Sequence, residues 1–408
     1  MYLKALNFLS PGHEKEMETK TMKTKKGMRA ISLLLVMALL GAIFVPAVSA
    51  ESDTQYQNQI PVKIKVESAL QDASFIISDE IKTVTSHWVL FAADEEGQKN
   101  AINDLNEVDL PAEEKLELIN DLQAIWKKYP VVTKSRGEVT EVVLANSNDF
   151  SLTDDENSTL SKVDEVLSKY LNDQYMDENG VRWYAAPEHQ DMIEISCLKW
   201  GVSSTYATYA HNAADDPDSW PSIYPPTGFE WLDNFIEDIC HSYDHYYNPV
   251  LGTGNAPSQC ENYADIAKDY YDQSSMYNAY TNLGYSSHFI TDVGNPLHTG
   301  METNQITNSW VHFEYEDYVN NNWEDGSGQD YYFKSVIEDN WYYYAITDPS
   351  GSTFSLADYS HDSADTLYYL VYNHRYTFET DSDVRSITEN CLLDTAKYTL
   401  GLVKYTRD

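Results

Sequence analysis

The chain has 408 residues, 42% of them apolar, and 27 Lys and Arg stand against 65 Asp and Glu for a formal net charge of −38 at pH 7. That apolar content excludes an intrinsically disordered protein, and the presence of one long apolar run excludes a polytopic membrane protein. The acidity argues against a polyanion-binding groove built from Lys and Arg, so stable nucleic-acid binding is not expected.

Residues 1–50 read as a targeting segment. Lys4, Lys15, Lys20, Lys23, Lys25, Lys26 and Arg29 precede an apolar run from Ile31 to Val48, which closes on Ala47-Val-Ser-Ala50. A basic start, an apolar centre and a small-residue end predict a secretory signal cleaved after Ala50. Met22 is an alternative start. An uncleaved membrane anchor is the other reading, since about 18 apolar residues can span a bilayer; Pro46 and the small-residue end favour cleavage. The exported chain would be extracellular, either released or attached to the cell surface.

Residues 51–146 predict helices without a ligand-bearing pattern. Pro111, Glu113 and Glu114 mark a helix start, and Leu118, Ile119, Leu122, Ile125 and Trp126 recur at helical spacing. His87, alone in this stretch, reads as structural. Asn146-Ser-Asn-Asp149 reads as a turn, followed by a polar helix and a linker at Met176-Asp-Glu-Asn-Gly180. Residues 51–182 are therefore expected to form a smaller, mainly helical N-terminal region or a propeptide.

Beyond residue 181 Tyr, Trp and His become dense, and Cys197, Cys240, Cys260 and Cys391 appear. In an exported protein two disulfides and four buried thiols are both open, and the spacing fits no zinc finger. His189, Met192, Ile193, Cys197 and Trp200 fall on one helical face. Residues 212–226 read as a loop rich in Asp and Pro. Tyr263 to His288 predicts one or two helices, and Val384, Ile387, Cys391, Tyr398 and Leu402 share a face of the last one. No alternating strand pattern stands out, so the expected fold class is all-α, with a multi-helix domain over 183–408.

The chemistry concentrates in one string. His288 and Asp292 are i, i+4 and face the same way on a helix, which Gly294-Asn-Pro296 should break before His298. His312 and Glu316 form a second i, i+4 pair, so the whole reads H-x3-D-x5-H-x13-H-x3-E. A single such pair is a common surface ion pair. Imidazole nitrogens and carboxylate oxygens gathered in threes are what a catalytic zinc requires, with a position left open for water.

With this string in place, residues 183–408 resemble the bacterial zinc-dependent phospholipase C family, whose all-helical fold is shared with zinc-dependent single-strand nucleases. The string itself and Asn295-Pro-Leu-His298, close to the family's Q-P-x-H phrase, carry the resemblance. It implies two or three Zn2+ ions. His288 and Asp292 would hold one, Asp292 would bridge to a second, and His298, His312 and Glu316 would hold the remaining one. Asp244-His-Tyr-Tyr-Asn-Pro249 looks like another ligand phrase, which brings His245 to the zinc of His288 and Asp292; its neighbour His241 is read as structural. The His that opens the first core helix in the family corresponds to His189, with His211 as rival. A loop Asp is expected among Asp215, Asp216 and Asp218, with Asp233 as an outsider. Asp218 is preferred, as a ligand and as the catalytic general base.

The family's last ligand is the free amino group of an N-terminal Trp. A processing protease cutting after Arg182 would expose Trp183 and make 51–182 a propeptide; otherwise 51–182 is a permanent domain. Glu316 and the 13-residue gap look more like the phospholipase branch than the nuclease branch. The resemblance thus implies a secreted phosphodiesterase that hydrolyses phospholipid to diacylglycerol and a phosphorylated head group, with peripheral membrane contact. A single-strand nuclease or nucleotidase, and a non-catalytic zinc-stabilised surface protein, are the alternatives.

Overall fold

The computed structural model describes residues 56, 59–64, 75–136, 139–145, 151–179, 187–220, 243–300, 309–324 and 332–408. The expected signal segment, Trp183, Asp233, Cys240 and His241 lie outside the described residues. Residues Asp53–Asp408 form one unit.

Strands β1 (Val62–Ile64) and β2 (Phe75–Ile77) precede two single-turn helices, α1 (Asp79–Lys82) and α2 (Trp88–Phe91). Then come α3 (Glu95–Glu107), α4 (Ala112–Lys128), the hairpin β3 (Val131–Arg136) and β4 (Val139–Leu144), and the long α5 (Asp154–Asn179). Next are α6 (Pro187–Lys199), α7 (Ser204–Ala213), the short pair β5 (Tyr247–Asn248) and β6 (Thr253–Gly254), α8 (Ala256–Asp272) and α9 (Met276–Asp292). The chain ends with α10 (Ser309–Asn321), α11 (Lys334–Asp339), β7 (Tyr342–Tyr344), α12 (Pro349–His361), α13 (Ala364–Asn373) and α14 (Ser382–Arg407). The fold is mainly α-helical, as expected. Among the described residues no helix is long and apolar enough to cross a membrane.

Helix α4 follows its sequence signals: Glu113 and Glu114 lie in the first turn, Lys127 and Lys128 in the last, and Leu118, Leu122, Ile125 and Trp126 are buried. The hairpin after it corrects the expectation that 51–146 is helical throughout. Val131, Val132, Thr133, Val139, Thr140, Val142 and Val143 are β-branched and lose side-chain freedom in a helix. They pair antiparallel from Val131↔Leu144 to Arg136↔Val139, and β2 joins β4 in parallel. A second correction falls at 176–180: α5 runs on through Asn179 instead of yielding to a linker, because Met-Asp-Glu-Asn contains no helix breaker.

One core spans both sides of position 182. Ile81, Phe91, Leu122 and Leu167 belong to the same apolar cluster as Met192, Trp310, Tyr369 and Phe378. Strand β1 also pairs with β7, Val62 opposite Tyr342. Around α6 lies a second cluster that includes Ile193, Cys197, Ala210, Leu283, Phe289 and Leu402. The expected single apolar face of α6 is instead burial nearly all round. Glu188, Asp191, Ser196 and Lys199 are covered along with Met192, Ile193 and Cys197, because α7, α9 and α14 all pack on this helix.

Tyr263 to His288 falls on two helices, α8 and α9, separated by a turn with Ser274 at φ 59°. Gly284 lets α9 approach α7 closely: a Cβ there would sit 2.3 Å from the Ala210 carbonyl oxygen. One turn later α9 presents His288. No disulfide joins the described cysteines; Cys197 and Cys260 are buried free thiols. The predicted face of α14 is buried at Val384, Ile387, Cys391, Tyr398 and Leu402.

Candidate metal centre

Helix α9 ends at Asp292, and Asn295 caps the following turn by accepting from the Leu297 amide (3.0 Å). This break turns His298 back beside α9. Two groups of side chains result.

In the first group, His288 Nε2 lies 3.2 Å from Asp292 Oδ2, 3.2 Å from Asp218 Oδ1 and 2.8 Å from His245 Nδ1. His245 Nδ1 lies 2.8 Å from Asp292 Oδ2 and 3.5 Å from Asp218 Oδ1. Four atoms from three separate stretches of chain thus surround one point. In the second, His298 Nε2, His312 Nε2 and Glu316 Oε1 form a triangle with sides of 2.8, 3.2 and 2.8 Å. A tetrahedral zinc with bonds of about 2.0–2.1 Å has ligand–ligand edges of about 3.3 Å. The other oxygen of Asp292 faces His189 Nε2 at 3.5 Å, and the His189 ring stacks on His288 with centroids 4.4 Å apart.

Two hydrogen bonds decide the chemistry. His288 Nδ1 donates to the Ala214 carbonyl (2.7 Å), and His298 Nδ1 donates to the His245 carbonyl (2.9 Å). Each Nε2 then faces carboxylate oxygens, and that contact is attractive only with a positive charge between them, either a proton on Nε2 or a metal ion. Nitrogen and carboxylate oxygen in this number suit a divalent zinc, and backbone carbonyls that hold the ligand tautomer are usual around one. The donor set therefore fits the implied metal.

The electrostatics carry the same demand. Burial opposes charge on His288, yet the Asp218 and Asp292 carboxylates hold its imidazole well above its ordinary value. Burial likewise opposes charge on His298, but its bond to Glu316 and the charge of Asp292 push it up to about 9. Glu316 is held well below the usual carboxylate range by His312 and His298 despite its burial. His189 is driven down to about 4 by burial and by the neighbouring His288.

All eight residues expected as ligands, His189, Asp218, His245, His288, Asp292, His298, His312 and Glu316, fall in these groups. The rivals fall elsewhere. His211 pairs with Glu194 (3.0 Å), Asp216 accepts from the Tyr285 hydroxyl (3.2 Å), and Asp215 accepts from the Gln190 amide. His87 bonds Asp164 (2.9 Å), in keeping with a structural role. One contributor had no role in the sequence reading: the Asn295 side-chain amide donates to Glu316 Oε1 (3.3 Å) and so helps to orient that ligand. Its position before Pro296, where the family phrase carries Gln, was the available signal.

No family model matches the chain, and no curated protein matches it. Among solved structures the chain is similar to the alpha toxin from Clostridium absonum, at 17% identity and a TM-score of 0.35. It is also similar to the alpha-toxin of Clostridium perfringens isolated from avian strain SWCP, at 13% identity and a TM-score of 0.34. Each likeness covers 54% of this chain and 61% of the toxin chain. At that distance function has to be argued from the side chains.

Proposed function

We propose that this protein is a secreted zinc-dependent phosphodiesterase of the phospholipase C type, with the eight residues above as zinc ligands and phospholipid as substrate. The observation that carries the reading is the pair of imidazole Nε2 atoms, oriented by the Ala214 and His245 carbonyls and gathered with carboxylate oxygens. Bound zinc supplies Lewis acidity toward a phosphoryl oxygen and acidifies a water molecule.

The protein's own groups do the rest. Asp292, shared between His189 and the first group, holds the positions close together, as an in-line displacement at phosphorus requires. Side-chain exposures of 29% for Asp218, 31% for His312 and 39% for Glu316 leave each group partly open to solvent. A structural zinc site is closed, whereas a catalytic one keeps an open position, which favours the enzyme over the structural alternative. Asp218, partly exposed in its group, takes the proton from the attacking water. Bound dications also supply the positive charge that an acidic phosphodiesterase otherwise lacks.

The test is hydrolysis of a chromogenic phosphocholine ester and of phosphatidylcholine vesicles by the zinc-loaded protein, before and after chelation. Zinc-reversible turnover with release of diacylglycerol is expected. A protein that holds zinc yet cleaves neither ester overturns the lipid reading, and cleavage of single-stranded DNA instead would assign it to nucleases.

A further inference from the structure

Glu188 is the unexplained side chain beside the centre. It precedes His189 in α6, it is 8% exposed, and its Oε2 is buried without a hydrogen-bond partner. It lines a cavity of about 70 Å³ together with His189, Asp292, His298 and Glu316. Tyr315, Val319, Cys391 and Leu392 close the far wall, and neither Lys nor Arg lines it. The volume has room for an ion and its water.

A carboxylate buried among other carboxylates is unstable unless something compensates its charge. Asp191, three residues along the same helix, shows what compensation looks like: it takes hydrogen bonds from the Trp323 indole (2.7 Å) and pairs with the Lys334 ammonium (2.9 Å). Nothing of the kind reaches Glu188 Oε2.

We infer that Glu188 is a ninth member of the metal centre, the carboxylate that faces and helps to retain a divalent cation in the cavity between His189–Asp292 and His298–Glu316. This rests on the metal reading proposed above and adds to it a residue that neither the motif nor the resemblance contains. Glu188 thereby acts through the ion, not on the substrate.

The experiment measures zinc per protein and zinc retention against a competing chelator for the full exported chain and for Glu188→Gln, with Glu165→Gln, an exposed position of α5, as a control. Glu188→Gln is expected to lose one equivalent of zinc or to bind it roughly 10–100-fold more weakly, while Glu165→Gln behaves as wild type. Melting temperatures add a readout that a packing role would not move. Metal-free Glu188→Gln should melt at or close to metal-free wild type, because the amide keeps the shape of the carboxyl group, and zinc-loaded Glu188→Gln should melt below zinc-loaded wild type. Glu188→Asp, which keeps the charge, should retain more zinc than Glu188→Gln and guards against a folding defect. Unchanged zinc content and affinity in Glu188→Gln, with equal shifts in both melting temperatures, would overturn the inference and leave the metal centre standing. A wild-type chain that binds no zinc would overturn the metal reading itself.

Discussion

Two buried polar clusters in this molecule use the same residue types to opposite ends. Where α3 meets the end of α13, Arg375 donates through Nε to Asp104 (2.7 Å), and His374 Nε2 pairs with Asp94 (2.9 Å). The Tyr376 hydroxyl completes Asp104 with a second bond (2.7 Å). Every carboxylate there has a cation or a donor supplied by the chain. At the candidate metal centre the carboxylates face imidazole Nε2 atoms, and no Lys or Arg lines the adjoining cavity. A His–Asp pair therefore means little by itself. What distinguishes a structural cluster from a ligand set is whether the protein supplies the balancing charge or leaves it to an ion.

The sharpest way to break the comparison is to remove one side of the first cluster altogether. Arg375, His374 and Asn373 find their partners in residues 94–104, and the apolar core is continuous across position 182. Residues 183–408 expressed alone are expected to be insoluble or to lack a cooperative melting transition. A soluble, cooperatively folded 183–408 fragment would show that the two stretches are separable domains.

Smaller in effect, a pair of variants contrasts the two clusters directly. Arg375→Met leaves Asp104 buried without its cation and should cost about 3–5 kcal/mol by chemical denaturation, with zinc content unchanged. Asp292→Asn removes the carboxylate shared by His189, His245 and His288, so it should abolish zinc retention and lower turnover by at least 100-fold. Loss of zinc in Arg375→Met, or full retention in Asp292→Asn, would contradict the distinction drawn between the clusters.

The smallest expected effect is a pH dependence of the zinc-loaded protein that arises from the first cluster. Burial opposes charge on His374, but its bonds to Asp381 and Asp94 push it up to about 9, above its ordinary value of 6.5. The folded state thus binds the proton more tightly, so this stabilisation is fully present below about pH 6.5 and is lost as pH rises through about 9. A loss on the order of 1–3 kcal/mol between those limits is expected, and His374→Gln should abolish it. Asp381, lowered by its bond to His374, acts in the opposite window: its contribution is present above the ordinary carboxylate value and is lost as pH falls through its lowered one. A His374→Gln variant with the same alkaline slope as wild type would rule out this pair as its source.

The legibility of these two clusters in the sequence differs for a physical reason. His288–Asp292 and His312–Glu316 are i, i+4 pairs, and the helix places them together whatever surrounds it. The break at Gly294-Asn-Pro296 is equally local. The apolar faces of α4 and α14 were visible for the same reason. By contrast, Arg375–Asp104 joins residues far apart in the chain and carries no motif. The β3–β4 hairpin was missed because runs such as Val139-Thr-Glu-Val-Val-Leu144 are short and do not alternate cleanly. Burial on several sides of α6 blurred its periodicity in the same way, since each neighbouring helix demands its own apolar contacts.

The loop ligand shows where sequence reading stops. Asp215, Asp216 and Asp218 are chemically equivalent on paper. Only the turn at Asp216–Ser219, packed beside α9, directs Asp218 to His288 while Tyr285 and Gln190 engage the other two. By itself the sequence determined the helical class and the two His–carboxylate pairs, which follow from helical spacing. Only the tertiary structure decided that Asp218 and His189, which the sequence could prefer but not place, lie beside His288 and Asp292 while their rivals do not, together with the carbonyls that orient the imidazoles and the core that crosses position 182. Each of those depends on contacts between segments far apart in the chain, and no local period encodes them.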